Sequence, residues 1–273
     1  MDPSLARIIA GNRAVLNSVP QWITDEHYAS PPSLFNYGLP PYVRHLVDLP
    51  LAADPTEADV IMSFMDALPR VRYLEVGVSV GKTFYQMARY AQGRPACHVA
   101  GLDIEAPNPV LVGLLDGLHG ARASVACVRD ARFSSMRDGL QNQVHTWGGD
   151  AVRYYEADEF DGNIWNEMQD PYNVVFSDAM HNPRALVNEY FKLKHRGLLD
   201  YKDLVYAFDD VDNADMLSAV RIIAEDIGTA NPQARLTHMQ VNGWLGQHEA
   251  PHNFAVIASR VPTAVRAWTL ADK

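Results

Sequence analysis

The chain has 273 residues, of which 48% are hydrophobic and 21% are charged, and its formal net charge is -10. A chain of this length and apolar content can bury one large core, which excludes an intrinsically disordered protein. The acidic balance argues against a general nucleic-acid binder, because phosphate contacts need clustered Lys and Arg. It argues equally against docking on anionic lipid.

Nothing in the sequence indicates secretion or membrane insertion. No apolar run approaches the roughly 20 residues that a membrane-spanning helix needs, and no signal-like apolar segment follows Met1. Cys97 and Cys127 lie among apolar residues and are expected to be free thiols in a reducing compartment. The sequence therefore predicts a cytoplasmic protein that contacts neither a membrane nor a nucleic acid.

The N-terminal part differs in pattern from the rest. Residues 1–19 have apolar side chains at helical spacing, which predicts a short amphipathic helix. Residues 20–50 are rich in Pro and aromatic side chains, which indicates an irregular packed segment that either covers a substrate pocket or simply packs on the core. We expect residues 1–54 to form an N-terminal extension, as a substrate lid or an oligomer contact, and residues 55–273 to form the main domain.

From residue 55 onward, helix-type and strand-type patterns alternate. Thr56 is expected to cap a helix that ends at Leu68. The next strands are predicted at Val71–Val76, His98–Asp103, Val152–Ala157, Tyr172–Phe176 and Leu204–Phe208. Further helices are predicted at Gly81–Ala91, Pro183–Lys194 and Val211–Ile227.

Two segments depart from simple alternation. Residues 107–150 are longer than a crossover needs and are expected to form a helical crossover enlarged by a loop. The last strands, Arg235–Val241 and Phe254–Ser259, are joined only by a loop, which is typical of a hairpin. The predicted fold is α/β: a Rossmann-like doubly wound sheet, mostly parallel with an antiparallel terminal strand, and helices on both faces.

A glycine-rich turn joins the first strand of the main domain to its helix. A P-loop needs four residues between its glycines, and Gly77 and Gly81 enclose only three. A dinucleotide fingerprint needs glycine where Ser79 and Lys82 stand. The turn does match, through Glu75, Gly77 and Gly81, the acidic-x-Gly-x-x-x-Gly turn of class I S-adenosylmethionine-dependent methyltransferases. Lys82 is then expected to be a solvated residue at the helix start.

Within this turn each residue type has a physical reason. Gly77 permits a sharp reversal because it has no Cβ, and Gly81 lets the backbone pass close to a ligand. Glu75, at the strand end, can attract the ammonium of the methionine moiety. Ser79 and Thr83 complete the predicted cofactor-binding part of the turn.

Two further carboxylates extend the predicted cofactor site. Asp103 ends the second strand, where it can accept hydrogen bonds from both ribose hydroxyls, an arrangement that NAD sites share. Asp158 follows the third strand and is expected near the adenine. An ordinary loop or helix-capping carboxylate is the alternative for Asp158.

A second set of acidic residues follows the fourth and fifth strands. Asp178, Asp209 and Asp210 lie at the strand ends that share an edge with the glycine turn. Such carboxylates repel one another unless a cation neutralises them, and oxygen ligands suit Mg²⁺, with Ca²⁺ or Mn²⁺ next. Because adjacent strand residues point to opposite sides, Asp212 or Asn213 is an alternative ligand. Helix capping by Asp209, Asp210 and Asp212 is the alternative to a metal site.

His181 follows Asp178 by three positions and is the predicted general base. A metal-bound acceptor hydroxyl has a lowered pKa, and His181 would take its proton before the oxygen attacks the sulfonium methyl group. A structural histidine at the start of a loop is the alternative.

The segment from His248 to His252 matches H-E-x-x-H, a zinc-protease motif that works only on a helix. Gly243, Gly246 and Pro251 disfavour a helix there, so this segment is expected in the loop of the terminal hairpin. Trp244 and His248 are candidate substrate contacts in that loop.

Together, Leu74–Gly81, Asp178-Ala-Met-His181 and Asp209-Asp210 resemble the metal-dependent class I O-methyltransferases of bacterial natural-product pathways, above all the macrolide-sugar and cephalosporin types. The resemblance spans roughly residues 55–260. It implies S-adenosylmethionine and Mg²⁺ or another divalent cation as cofactors, and a sugar or phenolic hydroxyl of a small secondary metabolite as acceptor.

The resemblance also implies site roles: Asp178, Asp209 and Asp210 as metal ligands, His181 as base and Asp103 at the ribose. This chain departs from the family at Ala179-Met180, where Gly-Ser is frequent, and at Asp209, where Glu is common. The alternatives are a metal-independent N- or C-methyltransferase and a non-methylating binding protein on the same fold. A homo-oligomer is left open.

Overall fold

The computed structural model of the chain describes residues 1–19, 22, 49–130, 132–243 and 251–270. Its strands are β1 Val71–Val76, β2 Cys97–Asp103, β3 Ala123–Cys127, β4 Asn142–Trp147, β5 Val152–Glu156, β6 Val174–Ser177, β7 Val205–Phe208, β8 Arg235–Asn242 and β9 Pro251–Ala258. Its helices are α1 Pro3–Ser18, α2 Glu57–Met65, α3 Lys82–Ala91, α4 Pro109–His119, α5 Pro183–His195 and α6 Ala214–Ala230.

The strands form one sheet in the order β3-β4-β5-β2-β1-β6-β7-β9-β8. The five central strands, from β5 to β7, are parallel to their neighbours. Both ends of the sheet are antiparallel. The α/β Rossmann-like fold and the terminal β8–β9 hairpin are thus confirmed, whereas "mostly parallel" describes only the central five strands.

One element of the sheet was not expected from the sequence. The segment interpreted as a crossover with a loop contains α4 and then an antiparallel hairpin, β3–β4, which extends the sheet beyond β5. Four of the five positions in β3 are exposed, so this strand lacks the apolar alternation that identifies a half-buried strand. The pairing with β4, and not burial, defines β3.

Two apolar layers cover the sheet, one on each face. Helices α1 to α4 pack on one face, through buried side chains that include Leu5, Phe64, Phe84 and Leu111. Helices α5 and α6 pack on the other face. Parallel strands buried on both faces read as apolar runs, which is why the central strands were predictable. Among the described helices, none is both long and apolar enough to cross a membrane.

Helix starts follow local capping chemistry. Thr56 begins α2 with a capping box: the Thr56 amide donates to Asp59 Oδ2 at 2.9 Å, and Thr56 Oγ1 accepts from the Asp59 amide. The predicted N-cap is therefore confirmed. Asn213 caps α6, accepting a hydrogen bond from the Met216 amide. The loop carboxylates before α6 are therefore not its cap.

A buried carboxyl group lies under the carboxyl end of β6. Glu189 on α5 is 3% exposed and accepts hydrogen bonds from Ser177 Oγ and Tyr206 Oη, both at 2.8 Å. Burial raises the pKa of Glu189 to about 8, from an ordinary value of 4.5. Because the folded-state pKa is the higher one, the contribution of Glu189 to stability is complete below pH 4.5 and is lost as the pH rises through 8.

We expect Glu189→Gln to raise the melting temperature at pH 8, because an amide of the same shape has no charge to desolvate. The variant should also show a smaller loss of stability between pH 4.5 and 8 than the parent. Thermal melts across this range measure both effects. Glu225→Gln, an exposed site on α6, is the matched control and should change neither. A steeper pH dependence in Glu189→Gln would contradict the assignment.

Candidate functional site

The glycine-rich turn lies between β1 and α3. Gly77 and Gly81 have φ values of +89° and +88°, and Ser79 between them has +53°. A Cβ on Gly77 would lie 2.4 Å from the carbonyl oxygen of Asp178, in the loop after β6. A Cβ on Gly81 would lie 2.4 Å from Leu111 Cδ2 on α4. Both glycines are therefore required by backbone conformation and by close packing together.

Asp103, at the end of β2, holds this turn in place. Its Oδ2 accepts hydrogen bonds from the amides of Val78 at 2.6 Å and Ser79 at 2.8 Å, and its Oδ1 accepts from the Glu105 amide at 2.8 Å. Burial raises the pKa of Asp103, and these three hydrogen bonds oppose that effect. A carboxylate has about four acceptor sites, so one on Oδ1 is left for a ligand.

A cavity of about 470 Å³ opens beside the turn, between the ends of β1, β2, β5 and β6. Four of the predicted cofactor-binding residues line it: Gly77, Ser79, Asp103 and Asp158. Asp178 lines the same cavity, so the predicted cofactor site and the predicted metal site meet there. Its size is typical of a small-molecule site.

Three other predicted cofactor residues do not line this cavity among the residues described. Glu75 is 1% exposed and accepts a hydrogen bond from Tyr73 Oη at 2.7 Å. Burial raises the pKa of Glu75 well above its ordinary value. Gly81 and Thr83 are buried at the turn and on α3. Of these three, Gly81 contributes to the shape of the turn, through its left-handed backbone conformation.

Asp158 has the contacts of a loop carboxylate and also lines the cavity. Its Oδ1 accepts a hydrogen bond from the Phe160 amide at 2.8 Å, as an ordinary loop carboxylate does. Its Oδ2 accepts from Ser135 Oγ at 2.7 Å. The same side chain nevertheless borders the cavity.

The expectation for Lys82 was wrong. Lys82 is not solvated but 2% exposed, and its ammonium lies 2.9 Å from Glu57 Oε1 on α2. The Glu57 side chain is equally buried, and burial raises its pKa. The charge of Lys82 therefore compensates a buried carboxylate, which no pattern in the local sequence reveals because Glu57 lies far away along the chain.

The acidic side chains after β6 and β7 meet around two histidines. His181 Nδ1 lies 2.6 Å from Asp210 Oδ2, and His181 Nε2 lies 3.3 Å from Asp178 Oδ1. Asp209 and Asp210 both reach the cluster because β7 has already ended at Phe208. Asp210 has a φ of +51°, a left-handed conformation that Asp tolerates better than most residues.

His252 on β9 is the second histidine, and sequence reasoning missed it. Its Nδ1 lies 3.0 Å from Asp209 Oδ1, and its Nε2 lies 3.3 Å from Asp210 Oδ1. The H-E-x-x-H match predicts a loop position for His252, which is wrong: the residue lies on β9 and pairs with Val241 of β8. The signal that finds it is strand register: β9 runs antiparallel to β7, and Phe208 pairs with Ala255. Trp244 and His248 lie outside the described residues.

The two alternative ligands are engaged elsewhere. Asp212 Oδ1 accepts a hydrogen bond from Asn253 Nδ2 at 2.6 Å, in an exposed position. Asn213 is the cap of α6. Five described residues therefore meet at this edge of the sheet, and we call them the acid–histidine cluster: Asp178, His181, Asp209, Asp210 and His252.

The carboxyl groups and the histidines of this cluster shift each other's pKa values. Hydrogen bonds to Asp178 and Asp210 raise the pKa of His181 to about 10. Burial disfavours the charged form of His252, but Asp209 outweighs it and raises the pKa to about 10. Burial and the charge of Asp209 raise the pKa of Asp178 well above its ordinary value. At neutral pH, His181 in this arrangement is a cation paired with the Asp210 carboxylate, whose pKa the His181 hydrogen bond lowers.

The donor set fits a divalent cation. One ligand atom each from Asp178, His181 and Asp209 lie within 4.8 Å of one another, and the same holds for Asp209, Asp210 and His252. Carboxylate oxygens suit Mg²⁺ or Mn²⁺, and imidazole nitrogens suit later transition metals. A cation here would compete with the two imidazolium groups for the same carboxylates.

No family model matches this chain, and no curated protein matches it. Among solved structures, it is similar to cofactor-bound Rv0187 from MTB, with a TM-score of 0.46 and 17% identity over 95% of this chain and 91% of that one. It is similar to the O-methyltransferase from Bacillus cereus in complex with SAH, with a TM-score of 0.42 and 14% identity over 94% and 91%. It is also similar to SAH-bound Podospora anserina methyltransferase PaMTH1, with a TM-score of 0.42 and 14% identity over 74% of this chain and 77% of that one.

Proposed function

We propose that this protein is an S-adenosylmethionine-dependent methyltransferase that methylates a hydroxyl group of a small secondary metabolite, a sugar or a phenol, with the help of a divalent cation. One observation carries the proposal. A single cavity is lined by the glycine turn and Asp103 and, beside them, by Asp178 of the acid–histidine cluster. A cofactor in this cavity would therefore lie next to groups able to bind an acceptor.

The length of the glycine turn supports this cofactor over a nucleotide, and Asp103 suits the ribose that both of them carry. The turn is one residue too short for a P-loop, and S-adenosylmethionine has no phosphate to be held. Asp103 retains one acceptor site on Oδ1, which suits a ribose hydroxyl. The proposed cofactor site comprises Glu75, Gly77, Ser79, Gly81, Thr83, Asp103 and Asp158, with Gly81 shaping the turn.

For methyl transfer, the acceptor oxygen attacks the methyl carbon, the carbon–sulfur bond breaks, and its electron pair stays on sulfur. A divalent cation held by Asp178, Asp209 and Asp210 would lower the pKa of the acceptor hydroxyl. His181 is 40% exposed and can receive the hydroxyl proton once it has lost its own. Much of the rate then comes from positioning the two reactants in line.

We expect S-adenosylmethionine to bind the purified protein in a calorimetric titration, and turnover with a panel of hydroxylated acceptors to be abolished by EDTA and restored by Mg²⁺ or Mn²⁺. Release of S-adenosylhomocysteine measures turnover. The absence of cofactor binding, with or without cation, would overturn the whole proposal.

A metal-independent methyltransferase acting on nitrogen or carbon is the second candidate. It is favoured by the two histidines, whose raised pKa values let them neutralise the carboxylates without an added cation. Full turnover in EDTA would select this candidate. The cofactor assignment would survive that result, because Gly77, Ser79 and Asp103 do not belong to the acid–histidine cluster.

A further inference from the structure

A second cavity, of about 330 Å³, lies on the helical face between α1, α2 and α3. It has no described lining residue in common with the cofactor cavity. The cofactor cavity adjoins the turn that precedes α3, whereas this one borders the C-terminal half of α3 and the residues after it. The two cavities therefore lie at opposite ends of a ten-residue helix.

Gln86 on α3 borders this second cavity and is 1% exposed. Neither Oε1 nor Nε2 of its carboxamide has a hydrogen-bond partner among the described residues. Buried amide groups in native proteins are almost always satisfied by protein, water or ligand, because an unmade hydrogen bond is costly. Gln86 thus holds an unpaired donor group and an unpaired acceptor, side by side, in the wall of this cavity.

The charges around the cavity are predominantly positive. Its lining includes Arg7, Arg89 and Arg94 against Asp66, which leaves an excess of two positive charges in a chain with a net charge of -10. Arg94 lies 3.4 Å from Asp66 Oδ1. Arg89 donates to the Gly11 carbonyl at 3.3 Å, and Arg7 makes no hydrogen bond or ion pair with another described residue.

An excess of two positive charges matches a phosphate monoester, which carries nearly two negative charges at neutral pH. Guanidinium groups bind phosphate oxygens through paired hydrogen bonds. A Gln carboxamide pairs in the same bidentate way with adenine, which presents a donor beside an acceptor. The cavity is large enough for one small molecule of this kind.

We propose that this second cavity binds a small phosphate monoester whose neutral part presents a hydrogen-bond donor beside an acceptor, as a purine mononucleotide does. Arg7 and Arg89 hold the phosphate, and Gln86 pairs with the base. The site is separate from the cofactor cavity and does not depend on the proposed methyl transfer.

The test is a calorimetric titration of the full chain with AMP, inorganic phosphate and adenosine, each with excess S-adenosylhomocysteine present so that a functional cofactor cavity is filled. We expect AMP to bind more tightly than phosphate, and adenosine not to bind. The double variant Arg7→Ala/Arg89→Ala should lose at least about tenfold in AMP affinity, because two charge-assisted contacts disappear. Arg221→Ala, an exposed arginine on α6 across the sheet, is the control and should bind as the parent does.

Gln86→Leu should weaken AMP binding about tenfold without weakening phosphate binding. Its melting temperature should stay the same or rise, because the substitution removes an unpaired buried amide. The proposal is overturned if AMP does not bind, or if the arginine double variant binds AMP as the parent does. Equal affinities for AMP and phosphate, or an unchanged AMP affinity in Gln86→Leu, would overturn the base contact.

Discussion

Asp210→Asn is expected to lower methyl-transfer turnover about 100-fold, the lower end of what a positioned acid–base group contributes. Asp210 contacts both histidines of the cluster, at 2.6 Å from His181 and 3.3 Å from His252. Loss of its charge removes one proposed metal ligand and frees both imidazoles. Asn has the same shape and also tolerates the left-handed backbone conformation, so the loop should be preserved.

The affinity for S-adenosylmethionine should not change in Asp210→Asn, because Asp210 does not line the cofactor cavity among the described residues. Initial rates and a cofactor titration separate the two quantities. Asp212→Asn is the matched control: it is the same chemical change two positions along the same loop, in an exposed carboxylate. If Asp212→Asn loses turnover and Asp210→Asn does not, the proposed set of cluster residues is wrong.

Gly77→Ala is expected to destabilise the protein by roughly 2–5 kcal/mol, the sum of a positive-φ penalty and an overpacked site. Its new Cβ would lie 2.4 Å from the Asp178 carbonyl oxygen and 2.5 Å from Ala179 Cα, both of them backbone atoms. Since the loop after β6 must move away, the cavity between turn and loop is deformed. We expect a fall of about 5–15 °C in melting temperature and a loss of cofactor affinity.

Gly93→Ala distinguishes the cost of the positive-φ backbone conformation from the cost of close packing. Gly93 also has a positive φ, of +72°, but a Cβ there meets no described heavy atom within 4 Å. Its alanine variant should therefore lose only the backbone contribution, roughly 1–2 kcal/mol, and bind the cofactor as the parent does. Equal melting temperatures for the two alanine variants would show that close packing of Gly77 against the β6 loop has no energetic weight.

The central strands could be predicted from the sequence because strands buried on both faces consist of continuous apolar residues. β1, β2, β6 and β7 are short apolar runs that end in Asp or Ser or are followed directly by Gly or Asp, and their boundaries fall within two residues of those expected. The hairpin β3–β4 could not be predicted from the sequence, because β3 is exposed at four of five positions and has no apolar pattern. Its formation depends on pairing with β4, and long-range pairing carries no local periodicity.

Some residues of the site could be located from the sequence pattern, whereas others are brought together only by tertiary packing. A parallel sheet brings to one edge the residues at or within two positions after the carboxyl ends of its strands, which are Gly77, Asp103, Asp178, Asp209 and Asp210. His252 reaches Asp209 only because β9 turns back antiparallel to β7, and Glu57 meets Lys82 only because α2 packs beside α3.

The sequence by itself determined the fold class, the turn at Gly77 to Gly81 and the carboxylates at the strand ends, because each of these depends on residues adjacent along the chain. Only the tertiary structure decided the charge state around those carboxylates. It places His181 and His252 among them and buries Lys82 against Glu57. The physical reason is that a pKa depends on burial and on charges within a few ångströms, which come from distant parts of the chain.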